Sequence, residues 1–121
     1  MSTPRKAISY QLVIRVARAV TVRVGALGQV RFAPGRYIYT GSAKRAIEAR
    51  VARHLAGARR LHWHIDHLLA APGVRVTATR LSPRPECSLN QATAGSIPVP
   101  RFGASDCRAG CGSHLKYQGR H

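Results

Sequence analysis

The residues from Gly35 to Leu55, GRYIYTGSAKRAIEARVARHL, hold the side chains best suited to chemistry. Tyr37 and Tyr39 flank Ile38 in a short aromatic run, Gly41 and Ser42 turn the chain, and Arg50, Arg53 and His54 follow in a cationic stretch. A phenol at a strand end, facing guanidinium groups on a helix, suits work on a phosphate ester. Hydrolysing a phosphodiester requires an activated water and neutralisation of the charge that builds on phosphorus oxygens. A tyrosine can accept or relay a proton once neighbouring arginines pull its pKa down. An arginine can clamp a non-bridging oxygen in a fixed fork. Plainer readings exist for each: tyrosines packing a sheet, Arg50 as a solvated cation, His54 as a boundary histidine bonded to a carbonyl.

The charge balance points the same way. Of 121 residues, 20 are lysine or arginine and four are acids, Glu48, Asp66, Glu86 and Asp106, for a net charge of +16. An excess that size repels itself unless it meets a polyanion, so nucleic acid is the expected partner. An arginine-rich proteome is the bland alternative. Acidic membrane surfaces fit less well, because no long helix separates a basic face from an apolar one. No segment approaches the ~20 apolar residues that span a bilayer, and the start MSTPRKAISY has no apolar signal core. The expected location is the cytoplasm, with no membrane association and no obligate protein partner. Three cysteines argue against a disulfide framework and for reduced thiols.

Periodicity supplies the elements that must position these groups. Ile8, Tyr10, Leu12, Ile14 and Val16 alternate with Ser9, Gln11, Val13 and Arg15, which predicts a strand over 8–17. A second strand region over 21–32 is broken by Gly25 and Gly28, as a turn or bulge would be. Pro34-Gly35 turns the chain into a strand at Tyr37–Thr40. Ala43, Ile47, Val51 and Leu55 then recur every four residues, the buried stripe of a helix capped by Ser42 and stopped at Gly57. Arg50 and His54 lie at the edge of that stripe, while Lys44, Arg45 and Arg53 face outward. A second helix is expected over 61–70, a strand from Val74 in which Val74, Val76 and Ala78 share a face, and a short helix at Glu86 behind Pro85. From about Gly95 the chain reads mostly as loop. The whole reads as one α/β domain, residues 1–121, with a small central sheet flanked by helices.

Tyr10, the run Tyr39-Thr40-Gly41 and the following segment with Arg50 resemble the GIY-YIG nuclease family. The likeness is strongest to its small stand-alone branch of Uri-type endonucleases. GRYIYTGSA, VARHL, HWHID, PECSLNQ and FGASDC…SHL resemble successive motifs of that branch, from about Tyr10 to Leu115. The resemblance implies a GIY-YIG-like layered domain that cleaves phosphodiesters, DNA first among them, with a divalent metal, Mg²⁺ or Mn²⁺. It implies catalytic roles for Tyr10, Tyr39 and Arg50, with His54 assisting, and makes Glu86 the metal-binding carboxylate. Lys44, Arg45, Arg53, Arg59 and Arg60 would contact the nucleic acid.

Two alternatives stand beside this. One is a non-catalytic nucleic-acid-binding module on the same scaffold, consistent with the charge and with Ile8-Ser9 where the first motif expects a glycine. The other is a zinc-stabilised interaction protein, using Cys107, Cys111 and His114, or the group His62, His64 and Asp66.

Overall fold

Alternating hydrophobicity makes β1 the centre of the molecule. β1 runs Ser9–Val16 and buries Tyr10, Leu12, Ile14 and Val16 on one face. The computed structural model describes residues 8–42, 64–99, 101–102 and 113–120. The helix expected after Gly41, with Lys44, Arg45, Glu48, Arg50, Arg53 and His54, lies outside the described residues. So do Arg59, Arg60, His62, Asp106, Cys107 and Cys111.

After β1 come β2 (Val20–Arg23) and β3 (Gln29–Phe32), an antiparallel pair joined through a 3-10 turn at Gly25–Leu27. Gly28, at φ 78°, closes that turn, which is why the glycines interrupt the strand pattern. β4 (Gly35–Ser42), α1 (His64–Leu69), β5 (Val74–Ser82), α2 (Glu86–Ala92) and β6 (Leu115–Tyr117) follow. The larger sheet has the order β5-β1-β4-β6 with every neighbouring pair antiparallel. The described residues thus form a mixed α/β structure with an antiparallel sheet and two helices. No described helix is long and apolar enough to cross a membrane.

Two expectations need correction. β6 lies in the stretch read as loop. It exists because Leu115, Lys116 and Tyr117 pair with Tyr39, Ile38 and Tyr37, and three residues are too few to show a period of their own. The alternation expected along β5 also breaks. A register shift against Val13/Ile14 leaves Val74 and Val76 on the core side with Val16 and Ile14, but turns Ala78 to the other face opposite Val13. The extra residue, Thr77, donates its hydroxyl to the Val13 carbonyl (3.3 Å), as suits a β-bulge.

The two faces of the sheet differ in kind. On one, Tyr37 lies opposite Ile14, Tyr39 opposite Leu12, and Gly41 opposite Tyr10. Phe32, Ile65 and Leu68 of α1, Phe102 and Leu115 complete a single apolar cluster with them. Each such aliphatic or aromatic side chain contributes about 1.5–3 kcal/mol by leaving water. On the other face α2 packs over β1 and β4 through polar contacts. Gln11 Nε2 donates to Thr40 Oγ1 (3.1 Å) and to Thr93 Oγ1 (2.7 Å), and the Thr93 hydroxyl donates to the Leu89 carbonyl (2.8 Å).

Candidate functional site

Strand alternation decides where each expected site residue goes. Tyr10 and Tyr39, from β1 and β4, share the aromatic face, with ring centroids 6.3 Å apart and planes tilted by 51°. Both are buried, at 2% and 7% exposure, and Tyr39 also meets Phe102 edge-on at 6.3 Å. Gly41 is needed beside them: a Cβ there would lie 2.5 Å from the Tyr10 hydroxyl, so the phenol occupies the space a side chain would fill. Tyr37 packs instead of doing chemistry. Its hydroxyl donates to the Ala33 carbonyl (2.7 Å), and burial, with Tyr117 adding to it, pushes its pKa up to about 12.

Glu86 does not join the tyrosines. It opens α2, on the face that carries Gln11 and Thr40, and there it meets a different set of groups. Its Oε1 lies 3.3 Å from His114 Nδ1, near enough for Coulombic attraction but off the line of a hydrogen bond, so that buried nitrogen has no hydrogen-bond partner. Cys87 Sγ lies 3.9 Å from the second ring nitrogen, Nε2. His114 is held rigidly, at 1% exposure, by its position just before β6: its carbonyl accepts from Thr40 N (2.9 Å) and its N–H donates to the Phe102 carbonyl (2.8 Å). Nearby, Asn90 Nδ2 donates to the Ser113 carbonyl (2.8 Å), tying α2 to the same segment, while its buried Oδ1 has no partner.

One ligand atom from each of Glu86, Cys87 and His114 lies within 4.8 Å of the others. This is the only such group among the described residues. The set fits Mg²⁺ poorly. That ion takes oxygen donors in near-octahedral geometry, and here a single carboxylate is accompanied by a thiol and an imidazole. His64 and Asp66, by contrast, belong to α1 under the aromatic face. The His64 ring sits 5.7 Å from Phe102, and burial lowers its pKa, helped by the charge of His67 and opposed by a hydrogen bond to the Arg101 backbone.

The polar face also holds cations that no sequence pattern singles out. Arg15 stands directly opposite Arg36 on one side and Arg75 on the other, so three guanidinium-bearing residues cross three adjacent strands in one row. Arg15 and Arg75 are exposed, and the half-buried Arg36 has an unpartnered, buried Nε. Like charges directly opposite on a sheet repel, so the row suits an anionic partner. The bulge at Thr77 creates it: without that register shift Arg75 would sit opposite Val16. Strand spacings of about 4.8 Å spread the row over roughly 10 Å.

A family model matches residues 9–121, nearly the whole chain. No curated protein and no solved structure matches it. By that match the chain belongs to the family described as a domain of unknown function, DUF123.

Proposed function

We propose that this protein is a metal-dependent endonuclease that hydrolyses phosphodiester bonds in nucleic acid, DNA being its first expected substrate. A GIY-YIG-like layering of helices over the sheet is part of that reading. The observation that carries it is the meeting of Tyr10 and Tyr39, brought from separate strands against Gly41. They belong to the block whose sequence resembles the nuclease motifs. The +16 charge and the arginine row supply the polyanion-binding surface such an enzyme needs.

In this reading the phenol of Tyr39 handles the proton of the attacking water, and Tyr10 supports it. Arg50 and His54 would neutralise and assist at the phosphate, and Lys44, Arg45, Arg53, Arg59 and Arg60 would extend the cationic surface. A bound divalent cation would supply Lewis-acid stabilisation of the phosphate. The resemblance makes Glu86 the acid that would hold it, with Cys87 and His114 beside it suiting a softer ion than Mg²⁺.

The test is incubation of the purified chain with end-labelled single-stranded, duplex and branched DNA, with Mn²⁺ or with chelator. Expected is cation-dependent product from wild type, reduced roughly 10²-fold or more in Tyr39→Phe, which keeps the ring and loses only the hydroxyl. Glu86→Ala is expected to abolish cleavage while binding persists. Undiminished cleavage by Glu86→Ala would overturn the metal assignment.

A second reading is favoured by one observation: Glu86 opens a helix packed on the face opposite the two phenols. A non-catalytic nucleic-acid-binding module needs no meeting between them. Tight, salt-sensitive binding with no product under any cation would favour it.

A further inference from the structure

The donor set at the start of α2 differs from what a Mg²⁺- or Mn²⁺-dependent nuclease would use, and the difference is informative. We propose that Glu86, Cys87 and His114 form a binding site for a zinc-class transition-metal ion. The inference goes beyond the nuclease reading and holds whether or not the chain cleaves DNA.

Three features support it. First, the donors are one carboxylate oxygen, one sulfur and one imidazole nitrogen, the mixture that Zn²⁺ and its chemical neighbours accept and that Mg²⁺ does not. Second, the donors lie within reach of a common ion. Zinc bond lengths of ~2.0–2.3 Å in tetrahedral geometry set neighbouring donors about 3.3–3.6 Å apart. Taking one atom from each residue, the three donors here lie within 4.8 Å of one another, near enough for side-chain rotation to bring them onto one ion. Third, His114 Nδ1 is buried, lacks a hydrogen-bond partner and lies 3.3 Å from Glu86 Oε1. A buried imidazole nitrogen left in that state costs free energy, which a metal bond would offset.

The rigidity is distributed as such a site requires. His114 is fixed by backbone hydrogen bonds on both sides, so it presents its nitrogen without rearrangement. Glu86 and Cys87 are half-buried neighbours in the first turn of α2, and rotation of their side chains closes the remaining gap. His114 gives one ring nitrogen to the ion, and Cys87 binds as thiolate, releasing its proton to solvent.

Titration of the reduced, untagged chain with Co²⁺, a spectroscopic stand-in for Zn²⁺, tests this directly. Expected is a thiolate-to-cobalt charge-transfer band that saturates at one ion per chain. Zn²⁺ should displace it and Mg²⁺ should not. In Cys87→Ser the band should vanish and affinity fall roughly tenfold or more. Should that variant not fold, wild type alone decides: Zn²⁺ should slow alkylation of Cys87 by iodoacetamide, located by peptide mass spectrometry, and Mg²⁺ should not. Absence of the band, its persistence unchanged in a folded Cys87→Ser, or equal alkylation of Cys87 with and without Zn²⁺ would overturn the site. Cleavage plays no part in these measurements, so failure here leaves the nuclease reading standing, and inactivity on DNA leaves the metal site standing.

Discussion

The two faces of the central sheet are built from the same strands yet are held together by different physics. The aromatic face joins Tyr10, Leu12, Ile14, Tyr37 and Tyr39 to Phe32, Phe102 and α1 in one apolar cluster. The face under α2 instead carries the Gln11–Thr40–Thr93 hydrogen bonds, the Glu86–Cys87–His114 group, two orphaned polar atoms at Asn90 and His114, and the arginine row. Apolar packing is non-directional and stabilises whatever it buries. Unpartnered polar atoms and abutted cations do the opposite, and a chain that retains them gains most when a ligand meets them. Stability resides mainly on the first face, and the unsatisfied polar groups and abutted cations lie on the second.

Substitutions of the packing residues on the aromatic face should therefore act first on folding. The largest effect is expected from Gly41→Ala, whose Cβ would fall 2.5 Å from the Tyr10 phenol. Overpacking of that kind costs about 1–3 kcal/mol, measurable as a lower midpoint in urea. A Tyr10→Leu background should recover part of the loss, because the clash is with that ring. Equal losses in both backgrounds would show that the close approach is not what Gly41 serves.

Tyr37→Phe comes next. It removes the hydrogen bond to the Ala33 carbonyl, for a loss of about 1 kcal/mol. It should also change the alkaline limb. The folded-state pKa is raised from 10.0 to about 12, so the neutral phenol's contribution is complete below pH 10.0 and is lost as pH climbs towards 12. Between those pH values stability should fall less steeply in Tyr37→Phe than in wild type.

The smallest stability effect belongs to the other face, and its sign is reversed. Arg75→Gln relieves repulsion with Arg15 and should leave stability unchanged or raise it by about 0.2–1 kcal/mol. It should nonetheless weaken binding to DNA of any sequence and reduce the salt dependence by about one phosphate contact. Unaltered affinity and salt slope in Arg75→Gln would remove the row from the interface and undo the contrast between the faces.

Much of the fold is legible along the chain. β1, the glycine-broken hairpin, α1 and the short helix behind Pro85 follow from periodicity and turn chemistry, because each obeys a local rule within a few residues. The alternation that pairs Tyr37 with Tyr39 on one face, and Tyr10 with Leu12, likewise predicts the phenol cluster. The site is less legible. Glu86 could be picked out as one of four acids, but its neighbours could not: Cys87 gave no separate signal, and His114 looked like a partner for Cys107 and Cys111. A histidine following two cysteines at short spacing outweighs, as a pattern, a distant glutamate that only packing brings near.

By itself the sequence determined which residues face inward along β1 and β4, where the chain turns, and a net charge of +16 that an anionic partner would relieve. These are properties of neighbours in the chain and of sums over it. Only the tertiary structure decided which strand lies beside which and in what register. One bulged residue, Thr77, swings Arg75 round to stand beside Arg15. Pairing of β6 with β4 carries His114 to the start of α2. Such contacts depend on hydrogen-bond register between distant segments, which no local period records, and so the groups with the most chemistry to offer appear only once the sheet is assembled.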